Sequence, residues 1–164
     1  EGIIQTQVNP QIGLDFSRLL RTFLRQDPDI IMLGEIRDEE SALMALRAAQ
    51  TGHLVLSTLH TNDAISAISR LQQLGIQSHE IENSLLLVIA QRLVRKRCLK
   101  CGQHFGNSCD CHQGYQGRIG VYQFLQCEDN RYQTDFESLY QSALEKVKDH
   151  ITDLDEIQRV LGKK

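Results

Sequence analysis

Nowhere in these 164 residues is there a Gly-x-x-x-x-Gly-Lys followed by Ser or Thr. That loop presents successive backbone amides to phosphate oxygens, so its absence removes the usual means of gripping a nucleoside triphosphate. No apolar run approaches the ~20 residues of a membrane-spanning helix, and the first residues show no signal-peptide pattern. Nor does one sign of charge dominate: 18 Lys and Arg face 21 Asp and Glu, a net charge of -3, with a pI of about 6.1. The cluster of Arg92, Arg95, Lys96 and Arg97 raises a zinc-ribbon nucleic-acid binder as one reading. Without a global basic field or an aromatic stacking pattern, nucleic acid is not an expected partner. Internal repeats and low-complexity tracts are missing too. The composition, 41% hydrophobic and 24% charged, is ordinary for one soluble globular domain. Cysteine departs from the ordinary. Five is an odd number, and four of them crowd between positions 98 and 111. Without a secretory signal, such crowding points to metal rather than disulfides, and the expected compartment is the cytosol.

What is present is organised around residues 27–38, DPDIIMLGEIRD. Ile30, Ile31, Met32 and Leu33 run without a polar break, which predicts a strand buried on both faces of a parallel sheet. The run stops at Gly34, and the carboxylate of Glu35 follows at once. Ligands of open α/β sheets bind at the carboxyl ends of strands, so Glu35 beside a glycine is a candidate catalytic edge. The bland alternative, an exposed loop glutamate after a core strand, is equally compatible with this stretch alone. Residues 51–64, TGHLVLSTLHTNDA, repeat the pattern: a short apolar run of Leu54, Val55, Leu56 and Leu59, closed by His60, Thr61, Asn62 and Asp63. In a parallel sheet both polar clusters lie on one rim.

Together GEIRD (34–38) and TGHLVLSTLHTNDA resemble the Walker B and His boxes of the secretion ATPase superfamily, in particular the branch that powers type II secretion and type IV pilus assembly. The flanking segments QVNPQIGLDF (7–16), LRQDPDI (24–30) and AQRLVR (90–95) look like that family as well, and the resemblance covers essentially the whole chain. It implies an α/β fold: the C-terminal part of a RecA-like three-layer P-loop NTPase core, with a small cysteine-rich zinc subdomain and a C-terminal helical region. The family carries its phosphate loop upstream of the point matching Glu1, so this chain is expected to be a C-terminal fragment or a truncated product. The activity implied is ATP hydrolysis with Mg2+ in a hexameric ring that works with inner-membrane secretion or pilus platform proteins. The implied location is the cytoplasmic side of the inner membrane. Glu35 would polarise the attacking water and His60 would sense the terminal phosphate. Gly34 stands where a Walker B aspartate is usual, so magnesium would be held by upstream groups and water. Thr58 and Thr61 would support His60, and Arg37 would orient Glu35 or pair with Asp38. His53 is expected to be structural. A pilus-retraction ATPase is a runner-up inside the family; outside it, the runner-up is a zinc-stabilised docking module without catalysis.

Helix signals fill the intervals. Phe16, Leu19, Leu20, Phe23 and Leu24 share one face of a helix over residues 15–26, with Arg18, Arg21 and Arg25 opposite and Pro28 beyond. The arginines are expected to be a solvated face, with a ring interface as the functional alternative. Asp38 should cap a helix to about Gln50, and Gly52 should stop it. Asn62 or Asp63 should cap another helix, to Leu74, ahead of Gly75. A third helix is expected from Ser78, its apolar body running through Ile81, Leu85, Val88 and Ile89 to Leu93. Residues 1–8 read as a short strand or arm, residues 119–125 as a strand, and residues 128–134 as a loop. Residues 136–148 read as a helix. A last helix begins at Asp153, with Leu154, Ile157, Val160 and Leu161 inward. The expected divisions are residues 1–94, the ATPase core; 95–118, a zinc-binding loop; and 119–164, the C-terminal strand and helices.

Cys98-x-x-Cys101 and Cys109-x-Cys111 are expected to supply the thiolates of a closed, structural zinc site, with no position open to water or substrate; the alternative is four free thiols in a loop. A loop this short cannot build its own core, and a metal staple answers that need. The pattern departs from the resembled family, which carries two Cys-x-x-Cys knuckles with a longer spacer, so His112 or His104 could replace one thiolate. Cys127 stands apart and is expected to be a buried thiol.

Overall fold

The computed structural model describes residues 2–101, 109–128, 131–133 and 136–162. These fall into two compact units, one within Glu1–His60 and Ala67–Leu85, the other within Thr61–Ser66 and Leu86–Lys164.

The first unit is built on a β-α-β crossover. Helix α1 (Phe16–Phe23) starts at Asp15, whose carboxylate accepts from the Arg18 amide at 2.7 Å. A 3-10 turn at Leu24–Gln26 and a left-handed Asp27 (φ 52°) then lead past Pro28 into β1 (Ile30–Leu33). Leu19 and Leu20 are buried, whereas Arg18, Arg21 and Arg25 are exposed, as the amphipathic pattern requires. Helix α2 (Glu39–Gln50) is capped reciprocally by Asp38 and Ser41, with Glu39 and Glu40 at the positive end of its dipole. Strand β2 (Leu54–Ser57) then lies parallel to β1, Ile30 opposite Leu54 and Leu33 opposite Ser57. Ile31 and Leu33 pack with Leu20, Ala45 and Ala48, the alanines of α2 letting the helix approach the sheet. Helix α3 (Ser66–Gln73) begins where Asp63 accepts from the Ser66 amide at 2.7 Å, and α4 (Ser78–Ser84) packs against α2.

One expectation fails here. β1 is not buried on both faces: Ile31 and Leu33 are about 5% exposed, but Ile30 is 59% and Met32 76% exposed. Leu54 and Leu56 of β2 are also exposed. The sheet of this unit has two strands among the described residues, and its helices cover one face. The described residues of this unit thus show two layers, a sheet and the helices on one of its faces. An unbroken apolar run states what a strand is able to bury, not what covers it.

The second unit is an antiparallel sheet, β3 (Leu87–Arg97), β4 (Tyr115–Glu128) and β5 (Arg131–Gln133) in that order, backed by α5 (Leu139–Lys148) and α6 (Leu154–Leu161). Here the helix expected to run to Leu93 is corrected. α4 ends at Ser84, Leu85 is extended, and β3 begins two residues later. Within β3, Ala90 and Val94 are buried while Leu87, Ile89 and Leu93 are exposed, the period of two of a half-buried strand. A run of mixed apolar residues fits either period, and the long pairing with β4 decides it. Residues 131–133, expected as loop, form the short edge strand β5 on the end of β4. Residues 2–8 form no regular element. Leu154, expected inward on α6, is exposed; Glu156 takes the buried place beside Ile157.

Candidate functional site

The two strand ends of the first unit carry the candidate chemistry. β1 ends at Leu33 and β2 at Ser57, paired residues, so the segments that follow leave the sheet side by side. The Ile36 amide donates to the Thr58 carbonyl at 2.9 Å, and the Thr58 hydroxyl donates to the Gly34 carbonyl at 2.7 Å. These bonds carry the strand pairing past its formal end and fix the residues on either side of Glu35. A Cβ added at Gly34 would meet nothing within 4 Å, so that edge is open to approach. Glu35 is bonded from two directions: one oxygen accepts from the Arg37 guanidinium, and the other lies 3.1 Å from Nε2 of His60.

This pairing sets the protonation of Glu35. The hydrogen bond from Arg37 is the main cause, opposed by partial burial and aided by His60, and it holds the carboxyl down to about 2. Glu35 is therefore an ionised acceptor at neutral pH. A carboxylate held so low is a weak proton acceptor, but a fixed negative group is suited to orienting and polarising a water. Of the six residues expected at this site, the structure brings together Gly34, Glu35, Arg37, Thr58 and His60. It shows Thr61 in the second unit, its hydroxyl donating to the Asp63 carbonyl at 3.1 Å. Asp38, the other partner considered for Arg37, is occupied in capping α2. His53 lies 2.9 Å from the Ala48 carbonyl and 3.1 Å from the Thr51 hydroxyl, bonds that close the C-terminal end of α2.

The cysteines form a second centre, in the second unit. The sulfurs of Cys98, Cys101, Cys109 and Cys111 all lie within 4.8 Å of one another. Cys98 and Cys109 are 3.5 Å apart, and Cys101 and Cys111 3.4 Å. Four thiolates around one tetrahedral zinc stand roughly 3.8 Å apart, given Zn–S bonds of ~2.3 Å, so the donor set fits that ion. The Cys98 thiol is lowered to about 7, chiefly by the Cys101 amide, whereas the sulfurs of Cys101 and Cys109 push the Cys111 thiol up to about 12. Sulfurs this close resist ionising together unless a cation stands among them. His112 is exposed and outside the cluster; His104 lies outside the described residues. Cys127 is buried in β4, apart from the cluster.

Residues 1–159 match the family described as "Type II/IV secretion system protein". The chain belongs to this family. It is 80% identical, over 163 residues, to the protein transport protein HofB homolog of Haemophilus influenzae, covering 99% of this chain and 35% of that protein. It is 40% identical to the type IV pilus assembly ATPase PilB of Pseudomonas aeruginosa, covering 98% of this chain and 36% of that one. It is 39% identical to the type II secretion system ATPase E of Vibrio cholerae, covering 98% and 40%. The chain thus spans less than half the length of these relatives. Its fold matches the crystal structure of the Legionella pneumophila ATPase DotB with a TM-score of 0.72, at 22% identity, over 94% of this chain and 44% of that one.

In this type II/IV secretion system protein, several polar side chains escaped the reading of the sequence. The guanidinium of Arg92 donates to the carbonyls of Thr61 (3.2 Å) and Asn62 (2.8 Å). The Oε1 of buried Gln123 accepts from the Ala64 amide at 3.1 Å. Together they fix the turn that follows His60. The available signal was the period of two, which puts Arg92 on the same face as buried Ala90 and Val94. Glu156 is fully buried, yet bonded by Arg95 and Arg159. Burial opposes its charge, but the bonds from Arg159 and Arg95 outweigh it and hold the carboxyl at about 2. A folded value below the ordinary 4.5 stabilises the fold fully above pH ~4.5, and that contribution is lost as pH falls toward ~2. The gap in melting temperature between the unsubstituted chain and Glu156→Gln, both metal-stripped, should be widest at neutral pH and shrink across that window. A gap constant with pH would show that the charge of Glu156 is not what matters.

Proposed function

We propose that the chain is the C-terminal part of a hexameric traffic ATPase that couples ATP hydrolysis to type II protein secretion or type IV pilus assembly. The ring would act at the cytoplasmic face of the inner membrane on secretion or pilus platform proteins. The observation that carries this reading is Glu35, projecting from the end of β1 and bonded to both Arg37 and His60. Family membership and the activities of the relatives support it. Among the described residues no helix is long and apolar enough to cross a membrane, which fits attachment through partners.

In this reading Glu35 polarises the attacking water, Arg37 fixes its carboxylate plane, and the Thr58 bond to Gly34 holds the two strand ends together. His60 faces the terminal phosphate, and Thr61 supports it through the turn they share. ATP and Mg2+ supply the transferable phosphoryl group and its charge neutralisation, held largely by residues of the parent outside this sequence. Zn2+ at Cys98, Cys101, Cys109 and Cys111 would be structural. The isolated chain should bind ATP weakly and turn it over negligibly, since its sequence has no glycine-rich phosphate loop. Micromolar affinity by calorimetry would contradict this.

His60→Ala in the full-length parent tests the site itself. A phosphate sensor acts mainly on the charge of the transferring phosphoryl, so turnover should fall well beyond any loss of nucleotide affinity. Were His60 only a rim hydrogen bond, stability would drop by about 1 kcal/mol and the rate per folded ring would hold. Melting temperature and turnover, measured together, distinguish the two.

A second reading, a docking module without catalysis, has one observation in its favour. Leu87, Ile89 and Leu93 of β3 and Tyr122 and Phe124 of β4 form an exposed apolar face on the antiparallel sheet. Loss of partner binding by the isolated chain after Phe124→Ser, with its melting temperature unchanged, would favour that reading for this surface.

A further inference from the structure

The AQRLVR segment ends on Arg95, three residues before the first cysteine. Arg95 lies at the centre of a polar cluster between β3, the start of β4 and the start of α6. Its amide donates to Oε1 of Glu156 at 2.8 Å, and its Nε and Nη2 reach Oε2 at 2.8 and 2.7 Å. Its guanidinium carbon lies 4.1 Å from the ring centroid of Tyr115. The Tyr115 hydroxyl donates to the Asp153 carboxylate, 2.8 Å from each oxygen, and Asp153 caps α6 by accepting from the Glu156 amide at 3.0 Å. Burial, then the facing Asp153, pushes the Tyr115 phenol up to about 12, so the hydroxyl keeps its proton. Two further bonds tie the same partners: Arg97 amide to Ile151 carbonyl at 2.7 Å, and Thr152 hydroxyl to Arg95 carbonyl at 2.8 Å.

The other side of this cluster is the cysteine centre. Cys98 directly follows Arg97, and its amide donates to the Gly114 carbonyl at 2.8 Å. His112 and Tyr115 exchange both backbone bonds at 3.0 Å, closing the turn that carries Cys111 into β4. The backbone on both sides of the ligand set is therefore held by residues bonded to α6. Undocking α6 would leave the Glu156 carboxylate without Arg95 and loosen the strand ends that place Cys98 and Cys111. Removing one partner of a buried ion pair is among the costliest single changes in a fold.

We infer that Arg95, Tyr115 and Glu156 are positioning residues of the cysteine centre, so that metal binding there and docking of α6 on β3 form one coupled equilibrium. The inference rests on the zinc reading above. By linkage, whatever factor α6 docking adds to metal affinity, the metal must add to α6 docking. The consequence is a C-terminal helix whose release reports the metal state of a loop it does not itself ligate.

The test uses the whole 164-residue chain. Zinc affinity is measured by competition with a chromophoric chelator, and amide exchange over residues 154–161 is followed with and without zinc. Zinc should slow exchange in α6 at least tenfold. Tyr115→Phe, which removes only the hydroxyl, and Glu156→Gln should each weaken zinc binding roughly tenfold, the scale of a hydrogen bond to a charged group. Tyr122→Phe, which loses only a bond from Gln91 on the exposed face, should leave affinity unchanged. Unsubstituted chain that binds zinc but exchanges equally with and without it would overturn the coupling, whatever the variants do. Equal affinity for Tyr115→Phe would overturn it too. Absence of zinc binding in the unsubstituted chain would overturn the metal reading itself, and the coupling with it.

Discussion

Glu35→Gln in the full-length parent should lower ATP turnover roughly 10³-fold, the scale of losing a positioned acid-base group, while ATP binding stays nearly intact. The substitution keeps the shape and one acceptor oxygen but removes the negative charge. Glu35 lies at the end of β1 with one oxygen on Arg37 and the other toward His60, so its plane is fixed before any substrate arrives. A neutral amide in that place would polarise a water poorly, and its NH2 group would replace one of the two acceptor oxygens that Arg37 and His60 face. Single-turnover rates and equilibrium ATP affinity, compared between the two proteins, give the answer. Equal loss of binding and rate would make Glu35 a group that orders the site rather than one acting on the water. Because Arg37 and His60 hold the carboxyl down to about 2, turnover should also show no titration of Glu35 between pH 5 and pH 8.

Removal of the metal should have the largest effect on structure. Native mass spectrometry should find one zinc per chain, and chelation should loosen residues 98–101 and 109–118 far more than the first unit. Zinc held by four thiolates contributes on the order of 10 kcal/mol of apparent binding free energy, which in a short loop is folding free energy. Among the described residues of that segment Leu99 is 96% exposed and adds no core to replace it. The first unit has its own core of Leu20, Ile31, Leu33, Ala45 and Ala48 and should keep its melting transition. Cys98→Ser or Cys101→Ser should release the ion; Cys127→Ser, in β4 and apart from the cluster, should not. Cys111→Ser that keeps zinc while His112→Ala loses it would replace the four-thiolate assignment. Reduced, metal-free protein with residues 98–101 and 109–118 still ordered would dispose of the metal centre.

Local chemistry made much of the first unit legible in the residues. Asp15, Asp38 and Asp63 bond the amides that open α1, α2 and α3, as short acidic side chains ahead of an apolar stripe should. Gly52 and Gly75, both with positive φ, follow the ends of α2 and α3 where a left-handed residue is needed. The strand-helix-strand order is enough to put Glu35 and His60 on one rim, because parallel strands present their carboxyl ends together. In the second unit the same reasoning failed between Leu85 and Leu93. Consecutive apolar residues fit a helix or a strand equally, and only pairing with distant β4 selects the strand.

By itself, then, the sequence determined the family, the acid and the histidine of the candidate rim, the four-cysteine donor set and most helix boundaries. Each of these depends on residue type and on spacing within a few positions. Tertiary structure alone decided what reaches across long separations. Arg37 and His60 hold the Glu35 carboxylate in place, and Arg92 and Gln123 hold the turn after His60. Glu156, not Leu154, faces inward on α6, because Arg95 from β3 and Arg159 from its own helix are there to meet it. A buried charge is tolerable only where its partners already stand, and where they stand is a property of packing that no local pattern encodes.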